Sequence, residues 1–164
     1  KAVLDIIPYG EDWRRAGEYL KQAMGDIGIQ LELRYEDVPT WLKRVYHRYD
    51  FEMNVNYFYQ LPDPVLGVHR HYGTDQIRKG THFVNSSRYS NSKLDALLDS
   101  GAGEPDAAKR TAKYKEIQQI LAEDMPVVNL FELEFLVVYN TKLKGVYGSA
   151  MGAYGSFREG YLDD

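Results

Sequence analysis

The stretch Ala2–Glu36, AVLDIIPYGEDWRRAGEYLKQAMGDIGIQLELRYE, decides the fold of this chain. It opens with an apolar run, Ala2–Ile7, which predicts a strand. Pro8-Tyr9-Gly10 follows and predicts the turn that ends this strand. Apolar residues then recur every three or four positions, as on one face of a helix: Trp13, Ala16, Gly17, Leu20, Met24 and Ile27. From Ile29 to Glu36 apolar and polar residues alternate, which predicts a half-buried strand. A strand, a helix and a strand in about 35 residues predict a βαβ unit with parallel strands.

The next segment repeats this order of helix and strand. Pro39–Arg48 is predicted as a helix that turns its apolar residues inward (Trp41, Leu42, Val45) and its basic ones outward (Lys43, Arg44, Arg48). Phe51–Tyr57 alternates again and predicts a third strand, parallel to the second in the same sheet. The expected fold class is therefore α/β, with residues 1–164 forming a single domain.

The second half is predicted to be mainly helical. Prolines and glycines make residues 60–88 an irregular surface connection. Asn91 or Ser92 caps a helix that ends near Ser100, where Gly101 and Gly103 break it, and Pro105 or Asp106 starts a longer helix that stops before Pro126. Two strands, Val127–Phe131 and Phe135–Tyr139, are predicted to follow, joined by Glu132-Leu133-Glu134. The tail from Gly148 is rich in glycine and aromatic residues and shows no period.

Composition excludes several classes of protein. Hydrophobic residues make up 44% and charged residues 27% of the 164 residues, so neither disorder nor a fibre is indicated. The net charge of −4 argues against a nucleic-acid partner, which would favour a basic surface. No apolar run approaches the ~18 residues of a membrane span. Lys1 leads straight into a strand-like segment, so no signal peptide is expected in this sequence. The absence of cysteine excludes thiolate chemistry but does not identify a compartment.

Several short motifs occur in an order that resembles one protein family. They are Gly28-Ile29 before the second strand, Tyr49-Asp50-Phe51-Glu52-Met53 entering the third, Asp63-Pro64, Tyr89-Ser90-Asn91, the Arg110-to-Pro126 helix, and Leu143-Lys144-Gly145-Val146. The chain thereby resembles the C-terminal lobe of the family 5 (peptide- and nickel-type) extracytoplasmic solute-binding proteins of bacterial ABC transporters. The resemblance implies one lobe of a type II periplasmic-binding-protein-like (Venus-flytrap) fold, with a mostly parallel sheet flanked by helices.

The resemblance also implies a function. Such receptors close two lobes on a peptide or peptide-like solute and deliver it to ABC permease subunits in the membrane, so this chain is expected to be periplasmic, to need no cofactor, and to lack the N-terminal lobe and signal peptide. Two alternatives stay open: the solute-sensing domain of a transcriptional regulator, and a nickel or metal-chelate receptor. No Ser-His-Asp or Cys-His arrangement, phosphate loop or HExxH motif is present, so an enzyme is not expected.

The candidate ligand-binding residues follow from the predicted sheet. Open parallel sheets bind ligands at the carboxyl ends of their strands, and here those ends carry Tyr9 after the first strand and Tyr57, Tyr59 and Gln60 after the third. In the peptide-binding branch of the family an acid follows the third strand; this chain instead resembles a branch in which a glutamine stands four residues before a proline, as Gln60 does before Pro64. Asp63 is the nearby acid that can substitute for the missing one.

A metal site is the competing interpretation of the histidines. His69 and His71 would share a face in an extended segment but diverge by about 200° in a helix. No cysteine or paired acid accompanies them, so a solvated loop is favoured over a metal site. His47 and His82 lie elsewhere and have no spacing that recommends them as ligands.

Overall fold

The computed structural model describes residues 1–133, 136–146 and 155–163. Its elements are, in chain order, β1 (Ala2–Ile6), α1 (Glu11–Asp26), β2 (Leu31–Tyr35), α2 (Val38–Leu42) continued by a π-helical segment (Lys43–Arg48), β3 (Met53–Val55), α3 (Pro64–Tyr72), a 3-10 turn (Thr74–Gln76), α4 (Ser92–Ala102), α5 (Ala107–Asp124), β4 (Leu143–Lys144) and β5 (Tyr161–Leu162). None of the helices in these ranges combines the length and hydrophobicity that a membrane crossing requires.

The first three strands form one parallel sheet in the order β2-β1-β3. Ala2 pairs with Leu31 at one end of β1 and Ile6 pairs with Val55 on the other side. The α/β class and the parallel arrangement of the second and third strands are therefore confirmed. Because β1 has a neighbour on each side, its hydrogen-bonding groups are used in both directions and its side chains lie in the core.

Two hydrophobic cores hold the chain together. The sheet core consists of Leu4, Ile6, Ile7, Trp13, Leu31, Trp41, Val45, Tyr46, Val55 and Val84. Trp41 and Val45 are fully buried, as predicted. A second core lies between α4 and α5 and consists of Leu94, Leu98, Ile117 and Ile120. Asn91 caps α4 by accepting from the backbone N–H groups of Lys93 and Leu94, at 3.0 and 3.1 Å, which confirms the predicted start of that helix.

Asp5 is a fully buried carboxylate in the middle of β1. Neither of its oxygens accepts a hydrogen bond from the described residues. The neighbouring cations are Arg34 Nη1, at 3.5 Å on the paired position of β2, and Arg44 Nε, at 3.6 Å. Burial raises the pKa of Asp5 to about 6, against the opposing effect of both guanidinium groups.

The position of Arg44 corrects the prediction that this side chain points outward. It lies over the sheet with only 20% of its side chain exposed, and its guanidinium also pairs with Glu36 Oε1 and Asp50 Oδ2, each at 2.6 Å. The reason is electrostatic, since the buried Asp5 carboxylate and two further acids converge at this point. The hydrogen bonds from Arg44 in turn lower the pKa of Glu36.

Three other predictions for secondary structure are wrong. Residues 60–88 contain α3, because Asp63 caps it by accepting from Val65 N at 2.9 Å and Pro64 occupies its first turn. Gly101 lies inside α4, buried against the ring of Tyr114 of α5, and does not break the helix.

The predicted strands after α5 are the third difference. The described residues of 127–131 and 136–139 form no strand, since no neighbouring strand of the described chain lies beside them. Glu134 and Phe135 lie outside the described residues, as does the tail from Gly148 through Tyr154 and Asp164. The later part of that tail contains β5, which pairs antiparallel with β4.

The Asp5 carboxylate should make the folded chain less stable as the pH rises. Its folded-state pKa of about 6 lies above the unfolded value of ~3.9, so the folded state binds more protons between these pH values and loses stability as pH rises through them. We expect Asp5→Asn to remove this dependence and to raise the free energy of unfolding at pH 8 by on the order of 2 to 3 kcal/mol, with little effect at pH 4. Urea unfolding of both proteins from pH 4 to pH 8 measures this; a less stable Asp5→Asn variant at pH 8 would contradict it.

Candidate functional site

The carboxyl ends of β1 and β3 lie side by side. Ile7 N donates to Val55 O at 3.1 Å, which carries the pairing one residue beyond β1. Gly10, with a φ of +111°, then turns the chain into the first turn of α1, a conformation that a residue with a side chain rarely adopts. This geometry brings the rings of Tyr9 and Tyr57 to 5.7 Å between centroids in an edge-to-face arrangement.

Five aromatic side chains meet at this edge, and we call them the aromatic cluster: Tyr9, Trp13, Tyr57, Tyr59 and Phe131. Tyr57 is central, with its ring 5.5 Å from Trp13 and 5.9 Å from Tyr59. The Trp13 ring lies 6.2 Å from that of Phe131. Trp13 is buried, whereas Tyr9, Tyr59 and Phe131 are 40%, 36% and 53% exposed. The cluster is therefore an aromatic wall anchored on a buried tryptophan and open on its outer side.

Two members of the aromatic cluster were not predicted to belong to the site. Trp13 was assigned to the apolar face of α1. It lies in the first turn of that helix, directly after the carboxyl end of β1, and this position in the sequence could have predicted its place in the cluster. Phe131 arrives from the segment after α5, more than 70 positions along the chain from Tyr57, and no local pattern connects the two. Phe58 points away from the cluster and packs on His71 with 3.8 Å between ring centroids, as alternation along an extended segment requires.

Gln60 lies beside α3 and not among the aromatic rings. Its Nε2 is 3.4 Å from Nδ1 of His71. A Cβ placed on the buried Gly67 would lie 2.5 Å from Gln60 Oε1 and 3.2 Å from Gln60 Cα, so the glycine makes room for this residue. Burial lowers the pKa of His71 to about 3, which keeps its imidazole neutral and able to accept a hydrogen bond. The structure thus holds Gln60 next to the predicted site by contacts with α3.

Asp63 has a structural use in this arrangement. Besides capping α3, its Oδ1 pairs with Arg110 Nη2 of α5 at 2.8 Å. The hydrogen bond from Val65 N is the main cause that lowers the pKa of Asp63, and the hydrogen bond from Arg110 lowers it further. The carboxylate that was expected to substitute for a ligand-binding acid is therefore already engaged by a backbone donor and a guanidinium.

The proposed metal candidates His69 and His71 do not converge. They lie in α3, so their side chains diverge; His71 is buried on Phe58, while His69 Nε2 lies 3.5 Å from Asp75 Oδ1. No group of three or more metal-ligating side chains occurs within the described ranges of the chain. The structure therefore gives no support to a metal site at these two histidines.

The aromatic cluster has a simple chemical character. None of its five residues is charged, three carry a phenol hydroxyl and one an indole N–H. Such a wall can stack on apolar or planar groups and can hydrogen-bond to amides and hydroxyls at its polar tips. This mixture suits the recognition of an uncharged part of a solute, and it offers no countercharge to an ammonium group.

Comparison with known proteins agrees with this fold. The chain is 26% identical over 135 residues to the probable D,D-dipeptide-binding periplasmic protein DdpA of Escherichia coli strain K12, covering 82% of this chain and 25% of that relative. It resembles NikZ from Campylobacter jejuni, solved with Ni(L-His), with a TM-score of 0.78 at 18% identity, over 94% of this chain and 30% of NikZ. For AppA of Bacillus subtilis in complex with a nonapeptide, the TM-score is 0.62 at 22% identity, over 76% of this chain and 24% of AppA. No family model matches the sequence.

These matches define the chain as one lobe of a periplasmic-binding-protein-like fold. The sequence match and the shared fold together confirm the resemblance to the family 5 solute-binding proteins of ABC transporters. The chain spans about a quarter of the length of the curated relative that it matches.

The contact between Gly67 and Gln60 gives a test of the site's geometry. Gly67→Ala should push Gln60 away from α3 and lower the free energy of unfolding by about 1–3 kcal/mol, because the added methyl group overpacks a backbone contact. The matched control is Gly25→Ala in α1, where a Cβ would meet no atom within 4 Å. That change should stabilise the chain by up to about 1 kcal/mol through helix propensity. Equal effects of the two substitutions in urea unfolding would contradict the close packing at Gly67.

Proposed function

We propose that this chain is the C-terminal lobe of a periplasmic receptor that binds a peptide or peptide-like solute between two lobes and delivers it to an ABC permease. The observation that carries the proposal is the aromatic cluster, which lies at the carboxyl edge of the sheet and is open on one side. The name of DdpA, a probable D,D-dipeptide-binding periplasmic protein, supports a peptide-like solute. The receptor makes and breaks no covalent bond of the solute.

Tyr9, Tyr57 and Tyr59 are proposed as direct contacts of the solute. Their rings provide apolar area at a low entropic cost, and their hydroxyls can pair with the solute's amide groups. Gln60, held beside His71, adds an amide that can recognise another amide or a hydroxyl. Asp63 is proposed only to fix the start of α3, since Arg110 already pairs with it. The lobe therefore recognises the body of the solute and leaves any terminal charge to other residues.

The segment after α5 supports the presence of a second lobe. Val128, Leu130, Leu136 and Val138 are 65%, 46%, 94% and 96% exposed, an apolar surface that a folded protein normally covers. The same residues were predicted as strands from their composition. We propose that they pair with strands of a second lobe, which supplies the neighbours that the strand pattern needs.

Two lobes also explain how binding becomes transport. A solute that touches both lobes stabilises the closed arrangement by the difference between its contacts in the closed and open forms. The closed receptor is then the form that the permease accepts. The lobe described here supplies only part of the contacts, so alone it should bind the solute weakly.

Tyr57→Ala tests the role of the aromatic cluster in solute binding. In the full-length receptor, purified from its own host without refolding, native mass spectrometry should detect a retained solute of peptide-like mass. Tyr57→Ala should reduce its occupancy at least tenfold, because the central ring of the wall is lost; a hot-spot aromatic contributes about 2 kcal/mol or more. The matched control is Tyr19→Ala, since Tyr19 is 71% exposed on α1. Equal occupancy in both variants would exclude the cluster as the solute site.

Hydrogen exchange tests the proposed pairing with a second lobe. Backbone amides in residues 127–133 and 136–140 should exchange at least tenfold more slowly in the full-length receptor than in the 164-residue chain, because strand pairing protects them. The amides of β1 should exchange at similar rates in both proteins. Unchanged exchange of residues 127–133 and 136–140 would contradict the proposed strand pairing, whatever the solute.

A further inference from the structure

His47 and His82 are 35 positions apart in the sequence but adjacent in the structure. Their Nε2 atoms lie 2.9 Å apart, and their ring centroids lie 5.1 Å apart. Both residues are exposed. At this distance one imidazole donates a hydrogen bond from its Nε2 and the other accepts it. Sequence spacing gave no reason to expect the pair.

The fold fixes the position of this pair from both sides. His47 lies in the last turn of the π-helical segment, next to the fully buried Tyr46. Tyr46 O accepts from Gly80 N at 2.8 Å, which attaches the loop that carries His82 to the helix. The ring of Tyr46 also lies 5.9 Å from that of His82. Two imidazoles on separate segments are therefore brought together by a buried anchor.

The distance between the nitrogens matches that of two ligands of one metal ion. With metal–nitrogen bonds of about 2.0–2.1 Å, two nitrogens in neighbouring positions of a tetragonal site lie about 2.9 Å apart, and two in a tetrahedral site about 3.3 Å apart. The observed 2.9 Å is the length of the hydrogen bond between the rings, and it shows that the fold brings the two nitrogens as close together as neighbouring ligands of a tetragonal Cu²⁺ or Ni²⁺ site must be. Only the ring orientations must change, and both rings are at the surface.

We propose that His47 and His82 form a two-histidine site for a divalent late first-row transition metal, with Cu²⁺ bound most tightly. Each ring would bind the ion through Nε2 and carry its proton on Nδ1, and water would complete the coordination. Affinity for divalent ions rises towards Cu²⁺ at nitrogen sites of this kind.

The histidine pair shares no residue with the aromatic cluster. His47 belongs to the π-helical segment between β2 and β3, and His82 belongs to the loop after the 3-10 turn. The metal proposal therefore does not depend on the proposed solute-binding function.

Titration of the full-length protein with Cu²⁺ tests the proposal. Calorimetry should detect one equivalent of Cu²⁺ bound, with Ni²⁺ and Zn²⁺ bound more weakly, and the electron paramagnetic resonance spectrum of that equivalent should show two imidazole nitrogens. His47→Gln and His82→Gln should each weaken its binding by at least about tenfold, since even an outer partner of a metal ligand is worth 10–100-fold. Glutamine retains a hydrogen-bonding group, so these changes remove the metal ligand without removing the pairing of the two segments.

His69→Ala is the matched control, because it removes a histidine of α3 that is not part of the pair. We expect it to leave the Cu²⁺ affinity and the spectrum unchanged. The proposal is overturned if wild type and both glutamine variants bind Cu²⁺ equally, if His69→Ala removes the same equivalent, or if the wild type binds none at millimolar Cu²⁺. In those cases the pair is a hydrogen bond between two histidines and nothing more.

Discussion

The parallel pairing of β1 with a strand on each side is the constraint on which the rest of the structure depends. Because β2 and β3 both run parallel to β1, the connections that follow β1 and β3 must start at the same edge of the sheet. Tyr9 and Tyr57 meet for that reason, although 48 positions separate them in the chain. The pairing pattern thus determines where these two side chains of the aromatic cluster lie.

The central position of β1 also has an electrostatic consequence. A strand with neighbours on both sides is shielded from water, so Asp5 becomes a buried carboxylate whose pKa burial raises to about 6. Arg44 is drawn over the sheet by that carboxylate, and Glu36 and Asp50 then occupy the rest of its guanidinium. Pairs of this kind offset a desolvation cost more than they add stability. Their effect here is to fix where the π-helical segment crosses the sheet.

Sequence patterns predicted the parts of the fold whose signal is local. The βαβ unit from Ala2 to Tyr35 was predictable because each element has a complete period, and Asn91 marks the start of α4 through its own side-chain acceptor. α3 was missed because prolines and glycines were taken as evidence against a helix, whereas Asp63-Pro64 is a helix start. Arg44 was assigned to the surface because the helical period identifies only the apolar face of the helix. It carries no information about Asp5, the buried acid on β1 with which Arg44 pairs.

The candidate site likewise contains residues that the sequence predicts and residues that only the tertiary fold brings together. The shared position of Tyr9, Tyr57 and Tyr59 was accessible to prediction because strand ends in a parallel sheet share an edge, while their contact with a solute stays a prediction. Phe131 was not, since its contact with Trp13 depends on how the segment after α5 crosses the molecule. The same limit applies to His47 and His82, which only the attachment of Gly80 to Tyr46 brings together.

Phe131 belongs both to the aromatic cluster and to the exposed apolar segment after α5. It contacts Trp13 in the aromatic cluster, and it lies in the segment whose exposed apolar residues we assign to pairing with a second lobe. A change in how that segment pairs would therefore move one side of the aromatic wall. Conversely, a solute that orders the wall would favour one arrangement of the segment, because the coupling free energy between two sites is reciprocal. Under the function proposed above, Phe131 would take part both in solute contact and in lobe closure, so the two events would be coupled through a single residue.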